Sequence, residues 1–173
     1  MKDQKPRFAW GHINVNVSNL EQSIAFYEKL GFELFRPGIP YLGLTVEAGT
    51  NTMPTACADA LGLDAAIKGR ACIMQLGTGY PKLDLTEFDT AEQAKPQVRP
   101  LANCDLGVVR ICLASRDLAE DHADLTAQGV AFISAPQLCK DGMADIAICR
   151  DPDGALIELI QIHPDKWASP PKI

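Results

Sequence analysis

The chain has 173 residues, of which 47% are hydrophobic and 22% charged, and this is the composition of an ordinary globular protein rather than a disordered one. The formal net charge of −6 argues against nucleic acid as a partner, because phosphate binding needs a basic surface. No apolar stretch approaches the roughly 18 residues of a membrane span, and no apolar signal-peptide core follows the polar N-terminus. These features predict a cytoplasmic protein that binds neither membranes nor nucleic acids.

The first half of the chain predicts a strand that leads into an amphipathic helix. The strand begins at His12 and alternates polar and apolar residues. Asn19 is a favourable N-cap, and Gln22 follows three residues later, as a capping box prefers. Gly31 stands where a left-handed C-cap is needed to end the helix. Between these signals the apolar residues have helical spacing, at Leu20, Ile24 and Tyr27.

Two further strands and an insertion complete this half. An apolar strand is predicted over Phe32–Phe35, and a last strand over Lys82–Phe88. The segment Pro54–Ile67 is rich in Ala and Leu, and it predicts one extra helix within an insertion near residues 50–68. This helix would serve either as a lid over a pocket or as a dimer contact.

The second half repeats the first. Arg110–Leu118 matches His12–Leu20 without gaps, 98 positions later. Asp117 takes the place of the N-cap, and Gly129 that of the C-cap. The helical stripe is again present, at Leu118, His122 and Leu125. We expect His122 to be a partly buried packing residue.

The end of the second half also corresponds to that of the first. A short apolar strand is predicted over Val130–Ile133, and a tight turn over Asp151–Gly154 leads into a last strand over Leu156–Gln161. Each half therefore predicts a strand, a helix and three more strands. The predicted organisation is a first module over residues 8–90, a linker over 91–105, a second module over 106–163 and an irregular tail over 164–173.

Strand alternation separates a helix-facing side of each module from a polar side. In the first strand the apolar residues must lie under the helix, which leaves His12, Asn14 and Asn16 on the opposite face. The equivalent residues of the second module are Arg110, Cys112 and Ala114. On the last strands, one face holds Asp84, Thr86 and Phe88, and the other module's equivalent holds Glu158, Ile160 and Ile162.

If the modules pair about a pseudo-twofold axis, His12, Asp84, Arg110 and Glu158 converge. One imidazole and two carboxylates suit a divalent metal, and the two carboxylates also suit proton transfer. The alternative is that the carboxylates are solvated strand residues, that His12 is a surface residue and that Arg110 pairs with one of the carboxylates. The repeat-equivalent positions favour a functional cavity. No role is predicted for His163.

The six cysteines are expected to be structural free thiols. None is paired as C-x-x-C, which argues against a zinc knuckle or a thioredoxin-like motif. Cys72, Cys112 and Cys149 lie in apolar runs, where a thiol behaves as a small hydrophobic side chain. The others are Cys57, Cys104 and Cys139.

The segments Gly11–Phe32 and Arg150–Leu159 resemble the opening and closing motifs of a module of the glyoxalase/bleomycin resistance protein/extradiol dioxygenase (vicinal oxygen chelate) superfamily. The resemblance covers nearly the whole chain. It implies an α+β fold in which two βαβββ modules with pseudo-twofold symmetry form a curved, mostly antiparallel sheet around a cavity. It also implies a homodimer and a small-molecule substrate, but it does not specify the reaction.

The resemblance further implies a metal site. The family holds its metal by a His on the first strand of each module and an acidic or amide residue on each last strand. Those places are His12, Asp84, Arg110 and Glu158. A guanidinium stays protonated and has no acceptor, so Arg110 cannot ligate a cation.

Two outcomes follow from this departure. A divalent Zn, Ni, Mn, Co or Fe ion could bind through His12, Asp84 and Glu158, with the Arg110 side chain turned away from the metal. Alternatively, Arg110 supplies the positive charge and the site is metal-free. We favour the second outcome, because a fixed positive charge raises the cost of bringing in a divalent cation.

The resemblance and the carboxylates together predict a lyase or an isomerase or epimerase of oxygenated carbonyl compounds. Glu158 or Asp84 would move a proton beside the carbonyl, and a metal or Arg110 would stabilise the enolate. Asn14, Asn16 and Thr86 would orient the substrate.

Two alternatives remain at the level of sequence. One is a non-catalytic protein that binds a small molecule or an antibiotic, with aromatic walls from Trp10, Tyr41, Tyr80 and Phe88. The other is an extradiol dioxygenase, which is disfavoured because it needs two His ligands and only His12 is at a ligand position.

Overall fold

The computed structural model describes residues 7–47, 51–64, 67–89 and 102–167, and the chain divides into two compact units, Met1–Pro96 and Gln97–Ile173. Most of the predicted linker and the end of the predicted tail lie outside the described residues. Within the described residues, no helix is long and apolar enough to cross a membrane.

The first unit is built on one mixed sheet. The elements are β1 (His12–Asn16), α1 (Leu20–Lys29), β2 (Glu33–Arg36), β3 (Gly38–Ile39), β4 (Leu44–Thr45), β5 (Asn51–Thr52), α2 (Thr55–Leu61), β6 (Lys68–Gln75) and β7 (Lys82–Asp89). The strand order in the sheet is β1-β7-β6-β2; β1 lies parallel to β7, and β6 is antiparallel to both β7 and β2. Strand β5 also pairs with β6, and β3 and β4 form a separate hairpin.

The second unit repeats this topology in shorter form. The elements are β8 (Arg110–Ala114), α3 (Leu118–Ala127), β9 (Gln137–Leu138), β10 (Ala144–Arg150) and β11 (Leu156–Ile162). The strand order is β8-β11-β10-β9, and β8 lies parallel to β11 as β1 does to β7. The predicted α+β class and the repeated strand–helix unit are confirmed.

The predicted strand over Val130–Ile133 is wrong. This segment forms an isolated bridge, Phe132 to Cys149, with hydrogen bonds from the Ile133 amide to the Ile148 carbonyl at 2.8 Å and from the Arg150 amide to the Ala131 carbonyl at 3.3 Å. Residues 133–136 then lie opposite only residues 147–148 of β10, and Pro136 has no N–H to donate, so the regular pairing is interrupted before β9.

The ends of helices α1 and α3 are confirmed as predicted. Asn19 Oδ1 accepts a hydrogen bond from the Gln22 amide at 2.8 Å, and the Asp117 carboxylate accepts one from the amide three residues later. Gly31 has φ +86° and Gly129 has φ +83°, the left-handed conformation that L side chains rarely adopt.

A second cap on each helix comes from the last strand of the same unit. Glu87 Oε2 accepts a hydrogen bond from the Leu20 amide at 2.7 Å, and Gln161 Oε1 accepts one from the Leu118 amide at 2.8 Å. These contacts satisfy amides at the helix start that have no partner within the helix. They fix each helix to one face of its sheet.

The insertion contains the predicted helix in a shorter form. Helix α2 ends at Gly62, which has φ +66°, so the helix does not run on to Ile67 as expected. The helix packs through Ala58 onto a small apolar core, formed by Ile39, Leu44, Met53, Ala58 and Ala71. The insertion therefore packs against β3, β4 and the main-sheet strand β6, and shares one hydrophobic core with them.

Alternation along the first strand of each unit is also confirmed. His12, Asn14 and Asn16 are exposed, whereas Ile13 and Val15 are partly buried on the opposite side. Strand β8 has the same pattern of exposure. One face of each sheet is thus covered by its helix, and the other is polar and open to solvent along its edge strand.

Candidate functional site

The register of the strands places the predicted carboxylates at the same position in each unit. Asn14 lies opposite Asp84 in the parallel pair β1–β7, and Cys112 lies opposite Glu158 in the pair β8–β11. Side chains of directly paired residues point to the same face of a sheet. Asp84 and Glu158 therefore lie on the polar face of their respective units, as predicted.

Asp84 is a buried carboxyl with incomplete hydrogen bonding. The residue is 2% exposed, and Oδ1 has no hydrogen-bond partner among the described residues. Oδ2 accepts a hydrogen bond from the Tyr41 hydroxyl at 3.4 Å and lies 3.8 Å from His12 Nδ1. Burial raises the pKa of Asp84, and the nearby His12 and Tyr41 offset only part of this effect.

The predicted substrate-orienting residues form a hydrogen-bonded row beside this carboxyl. The Thr86 hydroxyl donates to Asn14 Oδ1 at 2.9 Å, and the Asn14 amide donates to Asn16 Oδ1 at 2.8 Å. Thr86 is buried, whereas the two amides are exposed. Hydrogen bonds thus connect the buried Thr86 of β7 to the exposed Asn14 and Asn16 of the edge strand β1.

In the second unit the carboxylate is paired with a cation. Arg110 Nε donates to Glu158 Oε2 in a close ion pair, and Arg110 Nη1 donates to Asn103 Oδ1 at 3.2 Å. The Glu158 side chain is 12% exposed and that of Arg110 is 40% exposed. Arg110 thus neutralises Glu158 within its own unit, as one of the sequence-based alternatives had it.

The donors fit a metal site poorly. Among the described residues no three His, Cys, Asp or Glu side chains form a group that could hold a metal ion. The first unit offers one imidazole and one carboxylate, and the orphaned Asp84 Oδ1 could accept a further partner. In the second unit, however, an oxygen of Glu158 is engaged by Arg110, which cannot ligate a cation. Among the described residues, neither unit therefore supplies a set of three ligands for a metal ion.

The sequence does not predict the contacts of two residues near Asp84. Tyr41 lies on a 3-10 turn, Pro40–Leu42, and the sequence predicts it only as part of an aromatic wall. Lys82 is two residues before Asp84 and is buried on the same face. Neither spacing nor alternation assigns a role to these residues, because their contacts depend on how distant segments pair.

Other sequence-based expectations have mixed outcomes. The His122 ring packs on Phe132 with centroids 4.3 Å apart, which confirms its packing role. His163, to which no role was given, has Nε2 2.8 Å from Asp145 Oδ2. Phe88 is partly buried and packs against the hydrophobic cluster of Ile39, Leu44, Met53, Ala58 and Ala71.

The cysteines are free thiols, but one expectation about them is wrong. Burial raises the pKa of Cys72 to about 12 and that of Cys149 to about 11, so both stay protonated in the core. Cys112 is exposed, because its place on β8 belongs to the polar face.

Comparison with known proteins agrees with this architecture. The sequence profile of the glyoxalase/bleomycin resistance protein/dioxygenase superfamily matches residues 9–159. The chain belongs to this superfamily. Its members bind small molecules and often use a divalent metal or form dimers, so membership supports a glyoxalase-like role in small-molecule binding or catalysis. No curated protein sequence matches the chain.

Solved structures of the superfamily share the fold at low sequence identity. A glyoxalase-family protein from Bacillus cereus is similar with a TM-score of 0.68 and 19% identity, over 94% of this chain and 98% of that one. A superfamily domain from Frankia sp. EAN1pec gives 0.57 and 15%, over 88% and 95%. Glyoxalase I from Zea mays gives 0.53 and 18%, over 87% of this chain and 43% of that one. At these identities the likeness shows the fold alone.

Proposed function

We propose that this superfamily member is a small-molecule lyase, isomerase or epimerase that moves a proton next to a carbonyl group, with Asp84 as the acid–base residue. The observation that carries the proposal is the buried Asp84 carboxyl, whose Oδ1 has no partner among the described residues. We further propose that the protein is a cytoplasmic homodimer, as its composition and its superfamily suggest.

Burial suits Asp84 to this chemistry. An exposed aspartate is a weak base, because its pKa lies near 3.9. Burial raises the pKa of Asp84, which makes its ionised form a stronger base toward a C–H beside a carbonyl. We assign that proton to Oδ1, which is buried and has no hydrogen-bond partner among the described residues, since Oδ2 already accepts a hydrogen bond from Tyr41.

The remaining polar residues serve binding and charge stabilisation. Asn14 and Asn16 orient substrate oxygens through their exposed amides, and Thr86 fixes Asn14 by a hydrogen bond. A guanidinium has five N–H donors, and Arg110 uses one on Glu158 and one on Asn103. The other N–H groups remain available to bind an anionic oxygen at the polar face of the second unit, which is the role we propose for Arg110.

Proton exchange with solvent tests this function before the physiological substrate is known. Small 2-hydroxy ketones and 2-oxo acids are incubated with the full chain in D2O, and loss of the C–H signal beside the carbonyl is followed by proton NMR. The wild type should accelerate exchange for at least one compound. Asp84→Asn should lower the rate about 100-fold or more, as removal of a general base does.

A matched control is available on the same strand. Asp89→Asn changes an exposed carboxylate of β7 in the same way, and its exchange rate should equal that of the wild type. Full activity in Asp84→Asn, or no exchange by the wild type with any compound, would refute the assignment.

The alternative of a non-catalytic binding protein is favoured by one observation. Arg110 engages the very carboxylate that the superfamily pattern offers to a metal, and a binding protein needs no such ligand. The same NMR samples decide between the two, because a binding protein shifts ligand signals without exchanging their protons.

A further inference from the structure

Lys82 is a buried cation that the proposed chemistry does not use. Lys82 as a whole is 7% exposed. Its ammonium donates to Gln75 Oε1 at 2.9 Å and lies 4.7 Å from the centroid of the Phe35 ring and 5.1 Å from that of Tyr80. Within the described part of the chain, no carboxylate is recorded in an ion pair with this ammonium. One neutral amide and two rings therefore surround it.

The fold does not require a charge at this position. Asp84 and Glu158 are equivalent in the repeat, so Lys82 is equivalent to Leu156, two residues before Glu158. Leu156 is 1% exposed, which shows that an apolar side chain fills the same place in the second unit. An ammonium that leaves water loses far more hydration than one amide contact returns. The buried ammonium of Lys82 is therefore unfavourable for stability and not needed for packing, which indicates that it binds an anion from outside the chain.

The surroundings place this charge on the polar face. Lys82 and Asp84 are two residues apart on β7, so they share a face and are separated by about 7 Å along the strand. The register of β2 against β6 shifts between Leu34 and Arg36, and Arg36 then pairs with Ile73, which itself pairs with Asp84. Arg36 is therefore also on this face.

A second cation lies beside the same ring. The guanidinium of Arg36 is 5.3 Å from the centroid of Phe35, whose other close cation is Lys82. Glu33 of β2 pairs with Gln75, but its side chain is exposed and, among the described residues, it forms no ion pair with Lys82. The local charge around Phe35 is thus positive.

We propose that Lys82, assisted by Arg36, binds an anionic oxygen group of the substrate and so determines specificity. The ligand class is a small organic acid whose carboxylate or phosphate lies within one short molecule of the carbonyl at Asp84. Phe35 and Tyr80 hold the ammonium in place by cation–π contacts without neutralising it. This inference rests on the proposed function, because it takes from that proposal the position of the substrate carbonyl at Asp84.

Binding measurements on the full chain test the proposal. The probes are pyruvate, inorganic phosphate and neutral hydroxyacetone, and their dissociation constants are measured by NMR titration. Lys82→Met keeps the apolar stem and removes the charge. It should weaken binding of the preferred anion about tenfold or more, the usual effect of losing a charged hydrogen bond, and should leave hydroxyacetone unchanged. Stronger binding of pyruvate identifies a carboxylate site, and stronger binding of phosphate a phosphate site.

Two further variants make the result decisive. Lys68→Met removes an exposed lysine of the neighbouring strand β6 and should bind both anions as the wild type does. Lys82→Arg keeps the charge and should retain anion binding, which separates loss of charge from loss of fold. The proposal is overturned if the wild type binds neither anion, or if Lys82→Met binds them as tightly as the wild type.

Failure of this inference and failure of the proposed function give different results. Anion binding that depends on Lys82, without proton exchange, would support the anion site and refute the proton transfer. Proton exchange of neutral ketones, without any dependence on Lys82, would support Asp84 and refute the anion site.

Discussion

Replacement of Asp84 by Asn should change how the stability of the protein depends on pH. Burial raises the pKa of Asp84, so the folded chain binds this proton more tightly than the unfolded chain does. The stabilisation from that proton is complete below the unfolded pKa, about 3.9 for aspartate, and is lost as the pH rises through the folded pKa. The asparagine variant does not titrate, so it lacks this loss.

The size of the effect follows from linkage. Between the unfolded and the folded pKa, the wild type should lose up to about 1.4 kcal/mol of unfolding free energy per pH unit relative to Asp84→Asn. Above the folded pKa the difference should be constant. The carboxyl is 2% exposed, so solvent screening reduces this effect little.

Urea unfolding followed by circular dichroism, in steps from about pH 4 to about pH 8, measures the difference. Asp89→Asn is the control, since that carboxylate is exposed on the same strand. Its difference from the wild type should not show this trend. If Asp84→Asn loses stability relative to the wild type as the pH rises, the pKa of Asp84 is lowered rather than raised, and the reasoning fails.

Two further predictions concern the helix caps and the metal. Glu87→Ala should lower the free energy of unfolding by about 2 kcal/mol, because the charged hydrogen bond to the start of α1 and the ion pair with Arg70 are both lost, and Glu87→Gln should lower it less. Hydrogen exchange of the Leu20 amide measures this effect, and an unchanged rate in Glu87→Ala would contradict it. Elemental analysis of wild-type protein purified without chelator should find no stoichiometric metal, whereas the Arg110→His variant should bind metal more tightly. One metal ion per wild-type chain would contradict the role given to Arg110.

Features set by neighbouring residues could be predicted from the sequence. The caps at Asn19 and Asp117 and the left-handed Gly31 follow from local hydrogen bonds and backbone sterics, so the helices begin and end where they were expected. Alternation likewise predicted that Asn14 and Asp84 share a polar face, because the period of a strand fixes its faces.

Features that depend on the pairing of distant segments could not be predicted. The Tyr41 contact to Asp84 requires the turn Pro40–Leu42 to lie beside β7, and no local pattern specifies this. The cation–π contacts of Lys82 depend on the shifted register of β2 near Phe35. The Glu87 cap was missed for the same reason.

The pH dependence of proton exchange tests the central claim, that the buried Asp84 is the base. Exchange needs ionised Asp84, so the rate catalysed by the wild type should rise with pH through an apparent pKa above that of an ordinary aspartate, and it should then level off. This rise should be absent from the residual rate of Asp84→Asn. If the variant keeps the same rise with the same apparent pKa, another group is the base and the account is wrong.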